Sequence, residues 1–420
     1  MDAHLILLDI LLILVFARIL GDIARYFSVP SVIGELCAGI LIGPSLFGWV
    51  EINSTIFLLG EIGVILLLFE VGIETNLNKL VDSGKNSTVV AIGGFLGPFL
   101  GGFFVCYWWF DLSVLVSLFV GGTLTATSIG ITVRTLGDLG RQQSQEGQIT
   151  LGAAVLDDIM GVILLAVLYD FSVNGSVDLY SAGRVILFVG IFFILAPVLA
   201  KIFSEGIYKL DRIMPGTGAI PTAIVALVLF FAWLAHLFGA PELLGGFAAG
   251  LALSKRFFLP FGMAVKTSLR FSEKVETQID PIVKLFTPIF FVSVGLSMDL
   301  GTVDWSSPFF WWFSILVLVI AIFTKFTGAL FIKGPISQKI AIGMSMVPRG
   351  EVGLIFAGLG ASANIFTNEV YTALVMVIAY TTLLSPFWLK LYYSKYGHLL
   401  SEQPGLDIES LKVEKLANEK

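Results

Sequence analysis

The sequence predicts an all-α polytopic membrane protein of about thirteen transmembrane helices in two inverted-topology repeats, with two crossed, broken helices. Three observations point there. Of 420 residues, 56% are hydrophobic and only 13% are charged, where a soluble chain has about a quarter charged. Lys and Arg collect in every second loop. Two short patterns recur in the same order at the same helix offset.

The first six predicted spans cover 4–26, 30–44, 55–74, 88–109, 112–134 and 148–170, and a seventh covers 183–203. The last six cover 219–238, 240–254, 278–297, 308–332, 338–361 and 367–393. The first apolar run, from His4 to Leu20, contains Asp9 and Arg18 and leads straight into further spans, so it is not a cleavable signal. The second and ninth spans are short and Gly-rich, which suits tilted helices packed beside protein. The stretch Lys255–Glu276 is too polar to span and reads either as an amphipathic helix on the cytoplasmic surface or as a solvated linker. The tail after Leu391 is short and charged, leaving no room for a second domain.

Loop charge tests this layout. Basic connections carry Arg25; Lys79 and Lys85; Arg134 and Arg141; Lys201, Lys209 and Arg212; Lys255 to Lys274; Lys333 and Lys339; and Lys390 and Lys395. The alternate connections carry none, with Arg184 the one ambiguous case. Basic loops stay cytoplasmic, so the C-terminus is expected in the cytoplasm and the N-terminus outside.

Pro30-Ser-Val-Ile-Gly34 through Gly39 matches Pro241-Glu-Leu-Leu-Gly245 through Gly250, and Val71–Leu77 matches Val294–Leu300. The matched spans lie an odd number of helices apart, so the copies cross the membrane in opposite directions. Broken helices in such repeats occupy corresponding positions and flank the binding site. The fifth span holds Gly121-Gly-Thr-Leu-Thr125-Ala-Thr127-Ser128-Ile-Gly130, and its partner, the twelfth, holds Met346-Val-Pro348-Arg349-Gly350-Glu351. Both are poor in helix formers, and Pro348 removes a backbone donor. Freed carbonyls and the hydroxyls of Thr125, Thr127 and Ser128 are hard oxygen ligands suited to a small cation. Close packing through small residues is the alternative reading of the fifth span.

Asp157 and Asp158 lie inside the apolar run Ile149–Leu168. A carboxylate at mid-bilayer costs about 2.5–3.5 kcal/mol or more, so two in succession need a use: a proton, a small cation, or both in turn. Neighbours on a helix point about 100° apart, so one can face water while the other faces a packed helix. Lys325, deep in its span, needs a carboxylate, and Asp157 or Asp158 is the natural partner. A lysine held charged by a carboxylate loses its proton more readily when a cation takes that carboxylate, so ion and proton compete. Arg349 is expected to neutralise Glu74 or Glu70 and clamp the crossing, with Glu351 beside it. Asp280 and Lys284 pair locally. Glu35 and Glu61 face either an outer vestibule or other helices. Cys37 and Cys106 read as small packing residues, and His4, His236 and His398 lack metal-ligand spacing.

VLDDIMG (Val155–Gly161), the Thr/Ser-rich fifth span, FTKFTGA (Phe323–Ala329) and PRGEVGL (Pro348–Leu354) resemble the monovalent cation:proton antiporter-2 family, NapA type, with an NhaA-like fold. The resemblance covers about residues 1–395. It implies secondary active exchange of Na+ (or Li+) for H+, electrogenic because two carboxylates accompany the lysine. It also implies a homodimer. A dimerisation domain would come mainly from spans 1–3 and part of 8–10. A core domain including spans 4–6 and 11–13 would slide like an elevator. Asp158 would be the main cation and proton carrier, Asp157 would pair with Lys325 until sodium binds, and Thr127 and Ser128 would help line the site. Kef-type potassium efflux proteins share the fold but carry a nucleotide-binding domain and Gln in place of the first aspartate. No nucleotide-binding domain, nucleic acid or cofactor beyond the transported ions is expected. The expected home is a bacterial inner membrane or an internal photosynthetic one, among lipids.

Other classes fit less well. Potassium/proton antiport stays open, as does sodium-coupled symport of an organic anion, which would want a larger polar cavity. An intramembrane aspartyl protease needs two aspartates on different helices, so no enzyme is expected. Nothing resembles the repeated filter of a channel.

Overall fold

The computed structural model describes residues 3–27, 29–75, 77–174, 219–254 and 269–400, with scattered residues between 183 and 208. The described residues are helical, with no strand among them. In chain order the helices are α1 (Ala3–Tyr26), α2 (Ser31–Ile42), α3 (Ser54–Glu74), α4 (Leu77–Phe104), α5 (Val114–Thr125), α6 (Ile129–Asp138) and α7 (Gln145–Asn174). After the undescribed stretch come α8 (Ala219–Leu237), α9 (Glu242–Leu253), α10 (Leu269–Leu296), α11 (Pro308–Leu330), α12 (Ile336–Ser345), α13 (Glu351–Ser362) and α14 (Asn368–Tyr396). Among the described residues, 8 helices are long and apolar enough to cross a membrane, and three shorter apolar ones accompany them.

Lipid tails are as apolar as Leu, so burial alone does not drive these helices together; close packing and hydrogen bonds must. Small residues supply the packing. A side chain on Gly39 of α2 would strike the α10 backbone at Gly295, and one on Gly295 would strike Gly39. Gly72 of α3 and Gly250 of α9 exclude side chains from each other in the same way. Thus α3 packs on α9 and α10, α2 on α10, and α1 on α2. Around them lies a core that includes Leu66, Phe69, Phe247 and Phe291. A second core joins α5, α11, α13 and α14 through Phe119, Phe313, Phe356 and Leu374.

Helix ends carry local signals. Asn53 caps α3, accepting from the N–H groups of Thr55 and Ile56 at 3.0 and 2.9 Å. Ser307 and Thr367 cap α11 and α14 through their hydroxyls. The short second and ninth spans are the 12-residue helices α2 and α9.

Three expectations change. Helix α4 begins at Leu77, well before the predicted start at 88. Its polar first turns pack on α7, where the Ser87 hydroxyl donates to the Ile149 carbonyl at 3.1 Å. Helix α10 begins at Leu269, so the end of the predicted surface segment 255–276 is continuous with the tenth span; residues 255–268 lie outside the described ones. Hydropathy marks the apolar stretch of a helix, not its full length. Cys106 is buried as expected of a packing residue, but Cys37 is exposed on the outer face of α2. The predicted seventh span and the tail beyond Leu400 fall largely or wholly outside the described residues.

Candidate functional site

Two helix breaks create the site. Helix α5 stops at Thr125, Ala126 turns extended (φ −63°, ψ 130°), and α6 starts at Ile129. Ser and Thr side chains compete with the backbone for its hydrogen bonds, which favours such an interruption. Helix α12 stops at Ser345 and α13 starts at Glu351, with Pro348 and a non-helical Gly350 (φ −141°, ψ −132°) between them. The interruptions meet. The Ser128 N–H donates to the Pro348 carbonyl at 2.8 Å. The Thr127 hydroxyl donates to the Met346 carbonyl at 3.3 Å, and the Thr132 hydroxyl to the Ser345 carbonyl at 2.9 Å.

A broken helix leaves carbonyls without partners at its C-terminal end, where the helix dipole is negative. Two buried cations answer at α5. Arg349 donates to the Leu124 carbonyl through Nε at 3.2 Å and Nη2 at 2.7 Å, and also to the Ala321 and Val347 carbonyls at 3.0 and 3.1 Å. Lys325 donates to the Thr125 carbonyl, to the Thr127 hydroxyl at 2.7 Å and to Asp157 Oδ2 at 3.2 Å. All three ammonium donors are therefore used. On the positive side of the break, the Thr127 N–H donates to the same Asp157 oxygen at 2.9 Å. Asp157 Oδ1 has no hydrogen-bond partner among the described residues.

Lys325 reaches this point because α11 and α4 touch backbone to backbone at Gly328 and Gly93. Lys325, Arg349 and Asp157 are completely buried and Asp158 is 4% exposed. Lys325 lies within electrostatic range of both aspartates and of Arg349. Four ionisable side chains thus share one buried volume at the junction of α5, α6, α7, α11 and the α12–α13 break.

The sequence-derived candidates sort clearly. Asp157, Lys325 and Thr127 meet directly. Asp158 neighbours them on α7. Ser128 joins through its backbone, and its side chain packs on Gly350. Thr125 contributes its carbonyl, while its hydroxyl is turned back to the Gly122 carbonyl at 2.8 Å.

The expected pairing of Arg349 with Glu74 or Glu70 is corrected. Glu74 is exposed at the end of α3, and the guanidinium goes to backbone carbonyls. Weighing charge against charge overlooked the acceptors that a helix break releases. Glu351 opens α13, and its side chain lies outside the described residues. Lys284 pairs with Asp280 at 2.8 Å. Glu35 is buried beside a cavity of about 490 Å³ that Arg18, Arg25, Arg134 and Lys284 help to line. Glu61 is half-buried, within electrostatic range of Glu242 and His236. Thr382 of α14, whose hydroxyl donates to the Arg349 carbonyl, was not anticipated; the only signal was a Thr-Thr pair in an apolar helix.

Comparison with known proteins finds relatives along nearly the whole chain. The chain is 36% identical over 392 residues to a probable Na(+)/H(+) antiporter, GerT, of Bacillus cereus, covering 92% of this chain and 98% of that protein. It is 35% identical over 394 residues to the Na(+)/H(+)-K(+) antiporter GerN of the same organism, covering 91% and 95%. The fold matches the sodium proton antiporter MjNhaP1 of Methanocaldococcus jannaschii, with a TM-score of 0.71 at 19% identity over 94% of this chain and 97% of that one. Residues 11–395 match the family model described as sodium/hydrogen exchanger, transmembrane. The chain belongs to that family of transmembrane sodium/hydrogen exchangers.

Proposed function

We propose that the protein is a secondary active antiporter exchanging Na+, or Li+, for H+, and that the buried Lys325–Asp157 pair beside Asp158 is its exchange site. The pair carries this reading. Removing one partner from a buried ion pair costs about 3–5 kcal/mol, because a charge is left uncompensated. An incoming cation avoids that cost by taking the lysine's place on Asp157, and the lysine can then release its proton. Asp158 holds a proton or a cation in turn. The Thr125 carbonyl and Thr127 hydroxyl, freed as Lys325 withdraws, are oxygen ligands of the kind small cations prefer. No covalent step is assigned.

The reading includes alternating access. Its support is the reciprocity of the glycine contacts: the sequence match sets Gly39 against Gly250 and Gly72 against Gly295, and Gly39 touches Gly295 while Gly72 touches Gly250. A two-fold axis in the membrane plane exchanges those contacts, as inverted repeats require. A thirteen-span layout, an outside N-terminus, a homodimer and an elevator-like movement of the core helices belong to the same proposal. A second reading, K+/H+ exchange at the same site, is favoured by the 35% identity to a relative named for both ions.

The test uses purified protein in liposomes with an internal pH dye and an imposed pH gradient. Sodium and lithium are expected to drive proton movement, and Asp158→Asn is expected to abolish it. Full activity in that variant would refute the site; a response to potassium alone would establish the second reading.

A further inference from the structure

The cavity of about 490 Å³ beside Glu35 lies between α1, α2, α6 and α10. Arg25 and Arg134 on its wall belong to the basic helix ends that loop charge assigns to the cytoplasm. Arg18 of α1 and Lys284 of α10 complete its cations. Each of the four lies beside an aspartate. Arg18 and Arg25 are 2.7 and 3.7 Å from Asp22, Arg134 is 3.6 Å from Asp138, and Lys284 is 2.8 Å from Asp280. Asp138 also accepts the Ser31 N–H and the Ser31 hydroxyl at 3.2 Å each, which docks α6 on α2. Three aspartates therefore serve four cations, because Asp22 serves two.

Glu35 is the carboxylate left over. It follows Ser31 by four residues on the same face of α2, about 6 Å further along the helix. It is buried, and its Oε2 has no hydrogen-bond partner among the described residues. It lies within electrostatic range of Arg25, Arg134, Asp22 and Asp138. Counted with Glu35, the cavity and its ion pairs hold four charges of each sign; without it, one positive charge is uncompensated. Just beyond, Lys390 and Glu70 add one charge of each sign. In the sequence repeat Glu35 stands opposite Gly246, so the copy of this helix that starts on the other side has no such carboxylate.

Excess positive charge in a low-dielectric cleft repels the cations that an exchanger must admit. Helix α6, which forms one wall, starts at the break beside Asp157, and Arg134 lies five residues, about 8 Å, along it. We propose that this cavity is the cytoplasmic entry to the exchange site and that Glu35 is its charge-balancing residue, keeping the entry neutral so that a cation can pass toward Asp158. This rests on the exchange reading above.

The first test measures the sodium KM at each face, in everted and right-side-out membrane vesicles, at mildly alkaline pH and low ionic strength. Glu35→Gln is expected to raise the KM at the cytoplasmic face about three- to tenfold, the effect of one uncompensated charge several Å away, and to leave the outer KM near the parent's. Arg18→Gln, at a side chain 76% exposed, removes a cation and is expected to restore the KM of the Glu35→Gln protein. Glu35→Asp, which keeps the charge, is expected to stay near the parent. A cytoplasmic KM that does not rise, that rises equally at both faces, or that Arg18→Gln fails to lower overturns the proposal.

A second measurement does not depend on transport. Gly21 lines the same cavity, and a side chain there has room, with Glu35 Oε1 3.6 Å from the added Cβ. Gly21→Cys is placed in a chain with Cys37→Ser and Cys106→Ser and labelled with a cationic and an anionic thiosulfonate of similar size. The ratio of the two rates reads the charge of the cavity. Adding Glu35→Gln is expected to shift it about severalfold toward the anionic reagent, and adding Arg18→Gln to reverse the shift. An unchanged ratio overturns the charge balance, and a shifted ratio with an unchanged KM overturns the entry. If the parent moves no protons with sodium, it is the exchange reading that fails, and the ratio alone decides whether Glu35 balances the cavity.

Discussion

Lys325 and Arg349 enter the site from α11 and from the α12–α13 break, and they do different work there. The lysine makes a 3.2 Å link to Asp157 and two contacts to the α5–α6 break, at the Thr125 carbonyl and the Thr127 hydroxyl. Lys325→Ala should leave a folded protein that moves less net charge per cation, read as a smaller electrogenic current in proteoliposomes; an unchanged current in an active variant would remove the lysine from coupling. The arginine donates four hydrogen bonds to three backbone carbonyls. Arg349→Lys keeps the charge but loses the fork that grips Leu124 twice. It should cost about 1–3 kcal/mol, the penalty for stranding a buried acceptor, seen as a lower Tm in detergent. At this scale the residue types were legible and their partners only partly so. A lysine deep in an apolar helix announces that it needs an acid, yet it does not say which of two adjacent aspartates is in reach. An arginine in a Pro-Arg-Gly run gives no sign that its acceptors are carbonyls on two other helices.

Among the helices, the breaks and the glycine seams set the geometry. Both interruptions were readable, because Thr-Ala-Thr-Ser and Val-Pro-Arg-Gly are poor helix segments wherever they occur. That the interruptions touch, through Ser128 and Pro348, depends on packing between segments more than two hundred residues apart. The starts of α4 and α10 were misplaced because a helix continues past its apolar window when its polar turns find a neighbour. The seam between α2 and α10 allows no side chain at Gly39, since the α10 backbone occupies that space. Gly39→Ala is expected to force the helices apart at a cost of about 1–3 kcal/mol, and Gly250→Ala, its repeat-related counterpart on α9, by a similar amount. Equal losses of Tm in the two variants would support the two-fold relation; a loss in only one would argue against it.

For the whole molecule, the proposed topology has a direct check. Cysteines at Ser306, in the loop before α11, and at Gln143, in the loop before α7, placed in a chain without Cys37 and Cys106, should be labelled by an impermeant maleimide from opposite faces, Ser306 from outside. Labelling of both from one face would overturn the thirteen-span layout. Sequence alone was enough for a membrane-spanning helical class, the two weak points in otherwise apolar spans and the cluster of carboxylates with a lysine. Each follows from local chemistry: hydropathy, helix propensity and the cost of charge in lipid act on a residue whatever lies far along the chain. The resemblance had implied Asp157 as the lysine's partner, and the structure sets that pair at 3.2 Å; the backbone grip of Arg349 and the docking of Asp138 on α2 required the folded arrangement. Those contacts join distant segments, and their distances are set by how closely glycine-lined helices approach, which no local preference encodes.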